Sequence, residues 1–270
     1  MISIGEIWDR TMRVIAGRLG ILLTLAFLLM IVPPVVQAAL ETVEGTSFGL
    51  RSAQLAVSLI VFLAASMAMI ALTAVASDPA VDREAALAAG RARLGPFIGV
   101  SLVVGLAFGL AVLPGAVLLG MARFDLAQAR LAGSQEGVNL VLLGFGLLYF
   151  LVLLPVMLWA AARLVPLAAV IVNERRGVGA IRRSFALSRG MSMKLMGVLI
   201  LYVVVFLVVL TAATSVIGIV ARLLSGSDGA TVVALAVALA TALVTAAFSV
   251  LQAVFAAQSY LAAREAHDPA

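Results

Sequence analysis

Six runs without a charged residue constrain this chain more than any other feature: 19–40, 52–77, 94–122, 137–162, 195–221 and 229–263. A helix rises about 1.5 Å per residue and must cross roughly 30 Å of hydrocarbon, so each run is long enough for one span. The last run would reach about 52 Å as a straight helix. That suits one tilted or overhanging span better than two. Composition agrees: 64% of residues are apolar and 11% charged, against about half and a quarter in soluble domains. A mean hydropathy of +1.21 excludes an ordinary soluble enzyme, a disordered tail and a fibrous repeat. The expected fold class is all-α, a polytopic membrane bundle of six transmembrane helices forming one membrane domain over 1–270.

The basic residues set the orientation. Seventeen of the 18 are arginine and Lys194 is the sole lysine. Fourteen fall on one side of the expected spans (1–18, 78–93, 163–194 and the C-terminal segment) and four on the other. Positive loops stay inside, which predicts a bacterial cytoplasmic (inner) membrane location with both termini cytoplasmic. The pI near 10.7 is then a topology signal, and nucleic acid is not an expected partner. Val36-Gln37-Ala38 loosely resembles a signal-peptide cleavage site. The first 18 residues have amphipathic order of their own, however, and 19–40 is expected to be a retained span.

Three segments on the basic side are expected to be amphipathic, interfacial helices. Ser3-Ile4-Gly5-Glu6 has capping-box spacing, and Glu6–Arg10 and Asp9–Arg13 sit at i,i+4. Asp78-Pro79 is read as the start of a second helix that ends at Gly95-Pro96. A third runs over 178–189 and stops at Gly190. Each leads into a span through similar words: Arg18-Leu19-Gly20, Arg93-Leu94-Gly95 and Lys194-Leu195-Met196-Gly197. The recurrence marks three candidate pseudo-repeats, 1–77, 78–173 and 174–270. The apolar piece 164–172 is expected to carry the fourth helix past the interface, with kinks or breaks at Pro155 and Pro166.

Arg163-Leu164-Val165-Pro166 leads to Asn173-Glu174 and then to Gly179-Ala180-Ile181-Arg182-Arg183-Ser184-Phe185-Ala186-Leu187-Ser188-Arg189-Gly190. This stretch resembles the signature of the membrane domain of glycerophosphodiester phosphodiesterases, and the opening Gly5-Glu6-Ile7-Trp8 with Arg10 is similar to that family's start. The resemblance implies a multi-pass membrane architecture. In those enzymes the reaction belongs to a soluble barrel with histidines and metal-binding carboxylates. These 270 residues contain one histidine, His267, and no such barrel. The resemblance therefore implies a stand-alone member and carries no reaction over.

The expected spans contain no ionisable side chain of the kind intramembrane catalysis or ion coupling needs. Gln54, Asn139, Gln252 and Gln258 are their strongest polar groups and are expected to bond between helices. Ser101 and Ser249 have no base at membrane depth, and no cysteine is present. No catalytic, cofactor or metal residue is assigned, and no enzyme is expected. Gly95–Gly99 and Gly105–Gly109 have small-xxx-small spacing and are read as helix-packing positions. Pro33-Pro34, Pro114 and Pro155 are the candidate breaks a substrate site would use.

Arg175, Arg176, Arg182, Arg183, Arg189 and Lys194 are the candidate contacts for anionic lipid headgroups or a protein partner. Arg175, Arg182 and Arg189 would form one stripe on a continuous helix, with Val178, Ile181 and Phe185 entering the interface. Trp8 and Trp159 are the expected interface anchors, joined by Tyr202 and Tyr260. The expected function is a non-catalytic integral membrane component that associates with lipid, a partner or its own copies. The alternative is a permease for an apolar or amphipathic solute.

Overall fold

The computed structural model describes residues 3–43, 45, 47–123, 138–226 and 229–267, with the side chain of residue 267 left aside. Among them are helices and no strand. The first span joins α1 (Ile4–Ala26), a π-helical turn (Phe27–Ile31) and α2 (Val32–Glu41). The second is α3 (Phe48–Ser77) and the third α4 (Arg83–Met121). The fourth joins α5 (Leu140–Leu164) to the short α6 (Leu167–Asn173). After α7 (Gly179–Leu187) come α8 (Ser192–Ser225) and α9 (Ala230–His267). Six of these rods are long and apolar enough to cross a membrane. The chain is a multi-pass, all-α membrane protein.

The three lead-in segments join their spans differently. Ser3 and Glu6 form the expected capping box, and α1 then continues into the bilayer run with one kink, at Arg18 (φ −128°, ψ 21°). The second lead-in is no separate helix: α4 runs unbroken past Gly95-Pro96. Its N-cap is Asp82, which accepts from the Ala85 N–H at 2.8 Å. Asp78 instead ends α3 and turns the chain by accepting from the Ala80 N–H. Only the third, α7, stands apart from its span, and Gly190 follows it at φ 85°.

The prolines follow their chemistry but break less than expected. Pro33 and Pro34 lack the N–H that would bond one turn back, and their rings crowd those carbonyls. The turn before them opens to π geometry, with the Val32 N–H donating to the Phe27 carbonyl. Pro114 and Pro155 lie inside continuous helices. Next to the carbonyl that Pro114 leaves without its donor, the Tyr149 hydroxyl donates to the Ala111 carbonyl at 2.6 Å. A neighbouring helix thus supplies polar contact beside the weakened ladder. Pro166 does break its helix, and α6 turns inward. Ala169, Val170 and Ile171 are fully buried against α3, α4, α7 and α9. The fourth rod thus continues past Arg163 to Asn173, as a short buried helix after the break at Pro166.

Neighbour by neighbour, α1, α3, α4, α5, α8 and α9 close a ring, with α9 also against α3. The arginine-rich end holds the core. The twelve largest fully buried side chains all lie in that half, among them Ile7, Leu25, Leu72, Leu187 and Tyr260. Arg10 meets Glu265 at 3.1 Å rather than Glu6, so the two ends of the chain meet there. Elsewhere burial falls away. In the most apolar stretch of each span, 28% of residues are buried in the second but 6% in the third, fourth and fifth.

Candidate lipid-facing site at the arginine-rich end

The site is built around the C-terminus of α3, where the last carbonyls lack intrahelical donors and carry the negative end of the helix dipole. Three distant segments supply donors. Arg18 Nη1 donates to the carbonyls of Val75 (2.7 Å) and Asp78 (2.8 Å), and Nη2 donates to the Val81 carbonyl. Gln258 Nε2, from α9, reaches the Ala76 carbonyl at 2.8 Å. Asn173 Nδ2, at the end of α6, reaches Ser77 Oγ at 3.0 Å. The kink at Arg18 puts its guanidinium at this junction. Charge-assisted bonds of this kind are about twice as strong as neutral ones.

A second junction holds α7. Glu174, whose side chain is 15% exposed, accepts from Arg183 Nε at 3.0 Å and from the Tyr260 hydroxyl at 3.3 Å. Arg176 Nε lies 2.9 Å from its other oxygen, close enough to pair but not aligned as a hydrogen bond. Arg163 Nη1 donates to the Phe185 carbonyl at 2.9 Å, while its guanidinium sits 4.9 Å from the Trp159 ring centre. Its own carbonyl accepts from Ser184 Oγ and Ser188 Oγ. Phe185 packs edge-on to Trp159. Ile181 packs on the cluster of Val170, Leu187 and Tyr260. The apolar face of α7 is therefore used against the protein.

The six basic candidates divide accordingly. Arg175, Arg182, Arg189 and Lys194 are exposed, and no ion pair involves them among the described residues. Arg176 and Arg183 face Glu174. No helical stripe joins Arg175, Arg182 and Arg189, because α6 ends at Asn173 and α7 spans only Gly179–Leu187. Arg175 itself sits at φ 55° in the connecting turn. Of the expected interfacial residues, Val178 remains exposed while Ile181 and Phe185 are partly covered. Trp8 and Trp159 are both partly exposed, as anchors must be, but Tyr260 is fully buried.

The other polar and small residues are also placed. Asn139 caps α5, accepting from Val141 and Leu142 N–H; Gln252 accepts from the Tyr202 hydroxyl at 3.4 Å. Several hydroxyls at membrane depth bond back to carbonyls one turn earlier, as Thr73 does to Met69 and Thr214 to Leu210. The expected packing glycines Gly95, Gly99, Gly105 and Gly109 face open space. Close approach occurs instead at Gly90, Gly115 and Gly146, where an added Cβ would fall 2.7–2.8 Å from Met67, from Tyr149 and Phe150, and from Leu119.

Sequence reasoning passed over Arg18, Glu174 and Gln258 as a connected set. One signal was available: Glu174 is the only acid within 163–194, beside seven basic residues. Compared with known proteins, the chain matches no family model, no curated protein and no solved structure.

Proposed function

We propose that this protein is a non-catalytic, lipid-associating component of a bacterial cytoplasmic membrane. Its arginine-rich end faces the cytoplasm and contacts anionic headgroups. The observation that carries this reading is the division of the basic cluster. Arg176 and Arg183 are occupied with Glu174, while Arg175, Arg182, Arg189 and Lys194 are exposed in the segment that joins two of the apolar rods. A cation beside an anionic leaflet contributes about 1 kcal/mol. The bias of 14 basic residues to four supports the orientation. The motif from Arg163 to Gly190 supports kinship with the membrane domain of glycerophosphodiester phosphodiesterases. The back-bonded hydroxyls at membrane depth support a structural rather than a catalytic interior.

The test is lipid selectivity of the full chain in nanodiscs of mixed phosphatidylglycerol and phosphatidylcholine. Replacing Arg175, Arg182, Arg189 and Lys194 by Gln should remove the enrichment of phosphatidylglycerol around the protein. The same loss should follow from raising salt towards 1 M, where the Debye length is about 3 Å. Unchanged enrichment in the fourfold variant would sink the reading. Reporter fusions after Ala270 and within 41–46 should lie on opposite sides of the membrane.

A further inference from the structure

We infer that the crevice between α8 and α9 is a seat for one phospholipid acyl chain, drawn from the leaflet at the arginine-rich end. The cavity measures about 200 Å³. Along α8 its lining runs from Leu195 to Val205, a distance of about 15 Å at the helical rise. That is half of a hydrocarbon core about 30 Å thick, or the depth of one leaflet. Its length matches a chain lying along the membrane normal.

The walls suit a hydrocarbon. Phe255 is buried behind the cavity, and Phe248 packs edge-on to Tyr202 with ring centres 5.6 Å apart. The Tyr202 hydroxyl is turned to its neighbours, donating to the Phe248 carbonyl at 3.1 Å and to Gln252 Oε1. The tyrosine therefore offers the cavity ring surface. Leu201 and Val205 at the edge are exposed, which leaves the crevice open sideways to the bilayer.

One end of the slot, at Leu195, lies at the start of α8 directly after the basic segment 163–194, which marks the headgroup side. Trp8 lines the cavity there, beside Leu195. Lys194, the residue before Leu195, is exposed and in no ion pair among the described residues. A cation one residue along the chain from the lining of a leaflet-deep apolar slot complements a phosphate carried on an acyl chain. It offers nothing to a wholly apolar solute. The inference rests on the lipid-contact reading for the choice of leaflet; the slot itself is defined by α8 and α9.

The experiment uses the full chain in nanodiscs with phosphatidylglycerol or phosphatidylcholine carrying a diazirine in the acyl chain. After photolysis, adducts should concentrate at Val198, Tyr202 and Leu251, above the level at the lipid-exposed α4 residues Leu102 and Leu106. Leu251→Trp should fill the slot and bring labelling at Val198 and Tyr202 down to that α4 level. Val198→Phe provides the same block if Leu251→Trp fails to fold by circular dichroism. Even labelling of α4 and α8, or unchanged labelling in a folded blocked variant, would overturn the proposal. So would protein–protein cross-links at these positions, which would assign the crevice to a second copy. Slot labelling with both lipids, but no phosphatidylglycerol enrichment around the protein, would keep the seat and sink the anionic reading. Phosphatidylglycerol enrichment without slot labelling would do the reverse.

Discussion

The half of the bundle near the arginine-rich end and the half away from it are made of similar residues and are held together differently. In the first, α1, α3, α6 and α9 converge, and side chains such as Leu25 and Leu72 are completely enclosed. In the second, α4, α5 and α8 present most of their surface outward, and close contact is confined to places such as Gly115 against Tyr149 and Phe150. Hydrophobicity cannot account for the difference, since lipid solvates leucine as well as another helix does. The polar groups account for it. Arg18, Asn173 and Gln258 tie three segments to the end of α3, and Glu174 ties α7 to α9. In a bilayer, apolar surface gives a helix its depth, and the directional bonds choose its neighbours.

Six substitutions, grouped into four tests, probe that contrast, taken from the largest expected effect to the smallest. Arg18→Met keeps the apolar stem but leaves the Val75 and Val81 carbonyls without their donor, and the Asp78 carbonyl with only the Val81 N–H. With charged bonds worth about 1.5–3 kcal/mol each and partial rescue by water, the loss should be about 3 kcal/mol in unfolding from mixed micelles. A loss below that of Leu25→Ala would remove the junction from its central place.

Leu25→Ala opens a cavity in the packed half. The transfer part of its usual cost is small where lipid replaces water, so about 2 kcal/mol is expected, the low end of the range for such truncations. Leu106→Ala, at a position 62% exposed against 0% for Leu25, should change stability by less than about 0.5 kcal/mol. Similar losses at the two sites would erase the distinction between the halves.

Tyr260→Phe removes only the hydroxyl that donates to Glu174. About 1 kcal/mol should be lost, and protease cleavage within 174–190 should become faster as α7 loosens. An unchanged cleavage rate would mean that the contacts of Arg183 and Arg163 hold the segment without the tyrosine hydroxyl. Last, Gly105→Ala places a methyl in open space and should fall within about 0.5 kcal/mol of the parent. Gly90→Ala, whose new Cβ lies 2.8 Å from Met67 Cγ and 3.3 Å from its carbonyl, should cost about 1 kcal/mol or more.

The sequence discloses the rods because a charge in hydrocarbon is expensive, so gaps between charges are forced to coincide with spans. The capping box at Ser3 was legible for a similar reason, being local, whereas the helix expected to run to 189 stops at Leu187, with Ser188 as its cap ahead of Gly190. The junctions were not legible. Gln258 and Ala76 are 182 positions apart, and no periodicity links them. The glycine motif misleads on the same ground, since the spacing of Gly95 and Gly99 shows that they share a face but not what that face meets. The candidate cations were legible as a cluster. Which of them turn to Glu174 depended on where α6 stops and α7 starts.

The bond from Gln258 to the Ala76 carbonyl also orders events in time. At about 5–20 residues per second of synthesis, roughly 10–40 s pass between the making of Ala76 and of its donor. During that interval α1 and α3 are already made, with Arg18 in place but one carbonyl at their junction without its final partner. A growing chain cannot close its best-packed half first and add the rest later. A helix made well after α1 and α3 completes the joint between them.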